Sequence, residues 1–217
     1  MAGGSGVTEV ILYGHPESGH SYKAALSLHL LDAPFSYRWV DVFAPRDQRD
    51  AEFQRVSRFG EIPVLVDDGV AYAQSNAILL HVAGKFGRLG GESAARLARV
   101  RERLFWEANR IGISLPNVRH YLRFTPGGAP EGALAWLRAR MDADLNSLDQ
   151  DLSRDPFLLG DEVTVADIAC GAYLLYEDAS VDLARWPAVL RWMQRLRALP
   201  RFAPAATLLS KTGRPSL

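Results

Sequence analysis

Cysteine is almost absent from the sequence: Cys170 is the single one among 217 residues. One cysteine excludes an internal disulfide framework and a cysteine-rich metal site, and we predict that the protein uses no metal. The absence of disulfides fits a reducing compartment. We therefore predict a cytoplasmic protein.

The sequence also lacks an excess of charge of either sign. Lys and Arg together number 25, and Asp and Glu together also number 25. Without a basic excess there is no electrostatic footprint for nucleic acid or for an anionic membrane surface. We predict neither of these partners.

Long apolar runs are missing as well. None approaches the roughly 18 residues of a membrane helix. The first six residues, MAGGSG, lack the basic region and apolar core of a secretory signal, and their Gly and Ser content predicts a mobile leader. Hydrophobic residues are 48% and charged residues 23% of the chain, which predicts a packed core in one large domain or two small ones.

The first third of the chain alternates between strand-like and helix-like patterns. An apolar run and a helical period are followed by an alternating strand and a short polar helix. Two apolar runs then flank Asp67-Asp68-Gly69, which is a hairpin signal. The predicted elements are strand 9–13, helix 22–31, strand 35–43, irregular helix 46–57, the hairpin, and a helix with Ser75 as its N-cap.

Beyond Gly90-Gly91 the patterns are helical throughout. Apolar residues from Leu97 to Leu122 recur every three or four positions, which predicts one long amphipathic helix that Pro116 kinks or ends. Two more helices are predicted over 133–152 and 187–199. The fold class is therefore an α/β domain, residues 8–87, followed by an all-α domain, residues 92–210.

One helix start in the second domain has an unusually complete cap. Thr164 is a good N-cap, and Asp167 stands three residues later, so each side chain can accept a hydrogen bond from the other's backbone N–H. Replacing such a cap typically costs about 1 kcal/mol. We interpret Asp167 as structural rather than catalytic.

Three stretches of this sequence resemble the cytosolic glutathione transferases, in particular serine-type members of bacterial or theta-like character. They are LYGHPESGHSYKAALSLHLL, GEIPVLVDDGVAYAQSNAILLHVAGKFG and FLLGDEVTVADIAC. The resemblance extends from about residue 8 to about residue 206. It implies a thioredoxin-like domain that binds glutathione, a helical domain that lines an electrophile pocket, and a cytoplasmic homodimer that serves in detoxification.

Ser18 lies where serine-type members of the family place their catalytic residue. The resemblance implies that its hydroxyl donates a hydrogen bond to the glutathione sulfur and favours the thiolate. The alternative is that Ser18 only caps a helix. Ser21 and Tyr13 are two further hydroxyls for the same contact, although Tyr13 fits the strand pattern and can equally pack or line the edge of the site.

The same turn carries Ser18-Gly19-His20-Ser21, where thioredoxins and glutaredoxins carry Cys-x-x-Cys. Two hydroxyls in place of two thiols exclude dithiol exchange by this turn. His15 and His20 are weaker catalytic candidates because no carboxylate is spaced to orient them. They are interpreted as residues of the turn or of a pocket rim.

The resemblance also implies how glutathione is held. Ile62-Pro63 corresponds to a cis-proline step whose preceding backbone pairs with the cysteinyl residue, the alternative being an ordinary proline at a strand start. Gln74 and Ser75 correspond to the γ-glutamyl site. The residues that match the glycine-carboxylate site are Gln48 and Arg49, the alternative being a solvated polar helix face.

The weakest assignments concern the second substrate. Tyr13, Trp106, Arg110 and His120 are candidates for the electrophile pocket, although most can equally be core residues. The predicted reaction is addition of glutathione, a co-substrate, to a hydrophobic electrophile. The alternatives are dehalogenation, isomerisation or peroxide reduction with glutathione, and a non-catalytic binding protein of the same fold.

Overall fold

The computed structural model describes residues 9–178 and 181–210. The leader predicted for the first six residues lies outside this part of the chain. The described residues form two compact units: one holds residues up to Leu79 together with those from Ala205 onward, and the other holds Leu80–Pro204. Within the described ranges, no helix is both long enough and apolar enough to cross a membrane.

The first unit follows the predicted order of elements. They are β1 Ile11–Gly14, α1 Gly19–Leu30, β2 Ser36–Trp39, α2 Ala51–Val56, β3 Val64–Asp67, β4 Val70–Ala73 and the start of α3 Ser75–Phe86. The sheet order is β2-β1-β3-β4, with β2 parallel to β1 and with β3 antiparallel to both β1 and β4. This mixed sheet confirms the thioredoxin-like fold.

The predicted hairpin is confirmed. Asp67 of β3 pairs with Val70 of β4, which leaves a two-residue turn. Its residues Asp68 and Gly69 both have positive φ, 51° and 76°. Two left-handed residues are what a type I′ turn requires, and Asp-Gly supplies them at low steric cost. The hairpin ends at Ala73, so Gln74 alone separates β4 from α3.

The second unit contains the rest of α3 and a set of helices. They are α4 Ala94–Asn109, α5 Ile111–Arg123, α6 Ala133–Leu152, α7 Val165–Gly171 and α8 Pro187–Arg197. The interval predicted for α6 is confirmed at both ends. A further short helix, α9 Ala205–Leu208, was not predicted; it belongs to the first unit and packs against α1.

The single long helix predicted across residues 97–122 is wrong. The helix breaks at Arg110, whose φ and ψ are −121° and −104°, and Pro116 lies inside α5. The fully buried Asp144 carboxylate accepts hydrogen bonds from Arg110 Nε at 2.8 Å and from Ser114 Oγ at 3.1 Å. A buried carboxylate needs such partners, and these two hold the chain in the broken path.

The capping box at the start of α7 is confirmed. Thr164 Oγ1 accepts from the Ala166 N–H at 3.2 Å, and Asp167 Oδ2 accepts from the Thr164 N–H at 2.9 Å. Asp167 does more than the sequence indicated. Its Oδ1 also accepts from the Leu158 N–H at 2.8 Å and from Trp192 Nε1 at 3.0 Å. One carboxylate therefore joins a loop, α7 and α8.

Candidate functional site

The turn between β1 and α1 is built by short local hydrogen bonds. The Ser18 N–H donates to the His15 carbonyl at 3.0 Å, and Pro16 stands at the second turn position, where its fixed φ is favourable. The Glu17 N–H donates to His15 Nδ1 at 3.1 Å. His15 is thus a turn residue, and the turn brings Ser18 to the start of α1.

Ser18 is the N-cap of α1. Its Oγ accepts from the Ser21 N–H at 3.2 Å, as an N-cap should. The side chain is half-buried, and within the described residues its own hydroxyl proton has no acceptor. A hydroxyl has one proton and two lone pairs, so capping leaves that proton for a ligand. Capping and donation to a sulfur are therefore compatible in one side chain.

The other two hydroxyls are enclosed by protein. Ser21 is fully buried, and its Oγ accepts from the His15 N–H at 3.3 Å. A Cβ added to Gly14 would stand 2.9 Å from Ser21 Oγ, so the two backbones approach closely. Tyr13 is 2% exposed, with its ring centroid 5.9 Å from that of Phe53. The structure places Tyr13 in the core and not at the surface of an electrophile pocket.

Burial also makes Tyr13 a poorer acid. Burial, and secondarily the Glu52 carboxylate, raise the pKa of Tyr13 to about 12. Burial likewise makes His20 a poorer base. Burial, and secondarily the charge of Lys23, lower the pKa of His20 to about 3. An imidazole of that pKa is neutral near pH 7 and is a weak acceptor for a thiol proton. Ser18 is the remaining candidate in the turn.

The low pKa of His20 predicts a pH-dependent stability. In the unfolded chain His20 titrates near 6.5, so below that pH the unfolded state binds the additional proton. The contribution of the neutral His20 to the unfolding free energy is fully present above about pH 6.5 and is lost as the pH falls toward 3. The slope from one group is at most about 1.4 kcal/mol per pH unit. We expect His20→Gln to flatten the fall in unfolding free energy between about pH 7 and pH 5, measured by urea denaturation.

The matched control for that measurement is His120→Gln, since His120 is exposed on α5. The control should follow the wild-type slope. Equal slopes for the wild type and His20→Gln would contradict the assignment of the proton uptake to His20.

The Ile62–Pro63 peptide bond is cis, as the resemblance implied. It lies directly before β3. In the described part of the chain, the Ile62 N–H and C=O make no hydrogen bond. Unpaired main-chain groups at the end of a strand are a place where an extended peptide can add.

Gln74 and Ser75 form the step from β4 into α3. Ser75 is the first helical residue, one position later in the helix than an N-cap. Gln74 has φ of 71°, which is unusual for a residue with a side chain and costs of order 1 kcal/mol. Its Nε2 donates to Glu61 Oε2 at 3.2 Å. This contact brings the start of α3 beside the segment that precedes Pro63.

Arg49 has main-chain contacts that the sequence did not predict. Its guanidinium donates to three main-chain carbonyls, those of Ala44 at 3.2 Å, Gly60 at 2.7 Å and Val42 at 3.0 Å. Arg49 therefore joins the loop after β2 to the turn before Ile62 with three of its five N–H donors. Gln48 is exposed at the end of a short 3₁₀ turn, and both Gln48 and Arg49 stay predictions for the glycine carboxylate.

The three candidates in the second unit have separate surroundings. Trp106 is half-buried with the Arg103 guanidinium 5.3 Å from its ring centroid, and Arg110 is paired with Asp144. His120 is exposed. The guanidinium of Arg110 is thus held by Asp144 at the break between α4 and α5. In the ranges that the structure describes, no group of three or more His, Cys, Asp or Glu residues could hold a metal ion.

Two family models match the sequence. The N-terminal domain model of glutathione S-transferases matches residues 12–92, and the C-terminal domain model matches residues 94–195. The chain belongs to the glutathione S-transferase family. This confirms the resemblance on which the site residues were predicted.

Relatives of this glutathione S-transferase family member have different names. The chain is 30% identical to disulfide-bond oxidoreductase YfcG of Escherichia coli, over 81% of this chain and 85% of the relative. It is 29% identical to a probable maleylacetoacetate isomerase of Vibrio cholerae, over 91% and 95%. A crystal structure of a glutathione S-transferase from Xanthobacter autotrophicus is 36% identical, covers 93% of this chain and 100% of its own, and has a TM-score of 0.76.

Two contacts in the candidate site could not be predicted from the sequence. The side chain of Glu61 lies beside Gln74, thirteen residues later, and Arg49 holds Gly60. The only local signal was the position of Glu61 directly before Ile62. Both contacts depend on the folded loops, which no periodicity or motif describes.

Proposed function

We propose that this protein binds glutathione in its first unit and adds the thiolate to a hydrophobic electrophile. The Ser18 hydroxyl donates a hydrogen bond to the sulfur, and the thiol proton leaves to solvent. The sulfur then bonds to the electrophilic carbon, and with an aryl halide the carbon–halogen bond breaks and halide leaves with its electron pair. The observation that carries this proposal is the cap geometry: Ser18 accepts from the Ser21 N–H and keeps its own proton for a ligand.

The free energy required to favour the thiolate of bound glutathione is modest. A thiol of pKa about 8.5 is mostly protonated near neutral pH, and lowering that value by two units takes about 2.7 kcal/mol. α1 is twelve residues long, so its N-terminus favours an anion, and one aimed hydroxyl adds to that effect. The helix N-terminus and the Ser18 hydroxyl together can supply about the 2.7 kcal/mol that the shift in the thiol pKa requires.

Each remaining part of glutathione has a partner in the first unit. The Ile62 N–H and C=O pair with the cysteinyl residue in the manner of an added strand. Ser75, at the start of the twelve-residue α3, takes the γ-glutamyl carboxylate, and Gln48 takes the glycine carboxylate. Gln74 lies beside the γ-glutamyl end. Arg49 keeps the two loops of this site together.

The remaining assignments are part of the same proposal. The domain limits are residues 8–87 and 92–210, and Trp106, Arg110 and His120 of the second domain contribute to the electrophile pocket. The protein acts as a cytoplasmic homodimer in detoxification.

Binding to immobilised glutathione, followed by an assay with a general aryl halide, tests the proposal. We expect retention on the matrix, elution by free glutathione, and conjugation of the halide. A protein that does not bind glutathione would contradict the proposal. Binding without turnover across a panel of electrophiles would indicate the non-catalytic alternative.

A second glutathione-dependent reaction follows from the same thiolate. The relatives named disulfide-bond oxidoreductase and maleylacetoacetate isomerase favour it. In a disulfide reaction, the glutathione sulfur attacks one sulfur of a small disulfide, forms a mixed disulfide and releases the other sulfur as a thiolate. Such a reaction needs no cysteine of the protein. Comparing turnover of an aryl halide with turnover of a small disulfide distinguishes the two candidates.

Gln74→Gly separates backbone strain from ligand binding. Glycine adopts a φ of 71° without a steric penalty, so we expect the unfolding free energy to stay the same or rise by up to about 1 kcal/mol. The amide that lies beside the γ-glutamyl end is removed, so the Kd for glutathione should rise about tenfold. Urea denaturation and calorimetric titration measure the two effects. An unchanged Kd would contradict the role of Gln74.

A further inference from the structure

We propose that the Glu61 carboxylate binds the α-ammonium group of glutathione and so selects thiols whose γ-glutamyl amine is free. The inference rests on the proposed function, because it assumes that glutathione lies along Ile62 and Ser75. It adds a charge that the two neighbouring positions lack, since Gln74 is neutral and Ser75 binds through a hydroxyl and a backbone N–H.

The position of the carboxylate supports this role. Gln74 Nε2 donates to Glu61 Oε2 at 3.2 Å, so the acid lies beside the residue that directly precedes α3. A carboxylate can accept about four hydrogen bonds, and the contact with Gln74 uses one of them. Oε1 and the remaining lone pair of Oε2 are left for a ligand that carries several N–H donors.

The backbone of Glu61 is held from both sides. Ser57 Oγ accepts from the Glu61 N–H at 3.1 Å and donates to the Glu61 carbonyl at 3.0 Å. Arg49 Nη1 donates to the carbonyl of the preceding residue, Gly60, at 2.7 Å. A fixed backbone limits the region that the Glu61 carboxylate can reach, which lowers the ordering cost of binding.

The charge pattern supports the same conclusion. Glu61 is exposed, and among the described residues no Lys or Arg forms an ion pair with it. An isolated carboxylate next to a helix N-terminus that binds an anion would repel that anion. The γ-glutamyl end of glutathione removes this conflict because it is a zwitterion: its carboxylate meets Ser75 while its ammonium meets Glu61.

The experiment compares two ligands on two proteins. Calorimetric titration measures the Kd for glutathione and for N-acetylglutathione, in which the amine has become a neutral amide. We expect the wild type to bind glutathione about tenfold more tightly than the acetylated ligand. Glu61→Gln should weaken glutathione binding about tenfold and leave N-acetylglutathione nearly unchanged, so that the ratio of the two Kd values falls toward one.

Glu131→Gln makes the same charge change at an exposed residue of the second unit and should keep the wild-type ratio. Glu61→Asp keeps the charge and should restore part of the discrimination. An equal loss for both ligands in Glu61→Gln would indicate a structural role and overturn the inference, as would an unchanged ratio. A wild type that binds neither ligand would instead overturn the proposed function, so the two failures are distinguishable.

Discussion

Ser18→Ala is expected to lower the turnover of glutathione conjugation by about ten- to a thousand-fold, the range for loss of one preorganised donor. The thiolate loses the hydroxyl that favours it, so the ultraviolet titration of the bound thiol should move to higher pH. The same substitution removes an N-cap and is expected to cost about 1 kcal/mol of stability. Steady-state kinetics, the thiol titration and urea denaturation measure the three effects.

Ser93→Ala separates the two roles of Ser18. Ser93 is the N-cap of α4 and accepts from the Arg96 N–H at 3.1 Å, so this variant loses a comparable cap. It should lose stability and keep its turnover and its thiol titration. Ser18→Thr retains a hydroxyl and should keep part of the activity. If the titration of the bound thiol does not move in Ser18→Ala, the role of Ser18 is wrong.

Asp167→Ala is expected to lower the unfolding free energy by about 3–5 kcal/mol, well beyond the cost of an ordinary cap. The carboxylate is fully buried, and burial raises its pKa. Its removal leaves the Leu158 N–H, the Thr164 N–H and Trp192 Nε1 without their acceptor in the interior. Equilibrium denaturation in urea at about pH 7 measures the change.

Asp161→Ala is the matched control, because Asp161 is exposed in the loop before α7. Its effect should stay within about 0.5 kcal/mol. Asp167→Asn should lose less than Asp167→Ala, since one amide oxygen can still accept, although its NH₂ group would face the Thr164 N–H. A loss of only about 1 kcal/mol in Asp167→Ala would mean that the contacts with Leu158 and Trp192 contribute nothing.

The elements that the sequence predicted are those with local signals. The Asp-Gly hairpin, the capping box at Thr164 and the apolar stripe of α6 each depend on residues a few positions apart. The break at Arg110 does not, because its partner Asp144 lies 34 residues away. Pro116 indicated a break in that stretch, but it lies inside α5, six residues after the break at Arg110.

The candidate site also combines features with a local sequence signal and features that depend on residues distant in the chain. Ser18 could be located from the sequence because a cap is recognised by its neighbours. The choice among Ser18, Ser21 and Tyr13 required burial, and burial depends on strands and helices distant in the chain. Arg49 shows what the sequence could not predict: three of its five N–H donors bind main-chain carbonyls of the folded loops, while its role toward a carboxylate ligand stays a prediction.

The close approach of Gly14 to Ser21 limits how this turn could evolve. A cysteine in place of Ser21 would put a larger sulfur where the oxygen already lies 3.3 Å from the His15 backbone nitrogen, directly after β1. It would also replace a good acceptor for the His15 N–H with a weak one. Position 18 is half-buried and has no such restriction. A one-cysteine turn is therefore a single substitution at position 18, whereas a dithiol turn must also fit a thiol at the fully buried position 21.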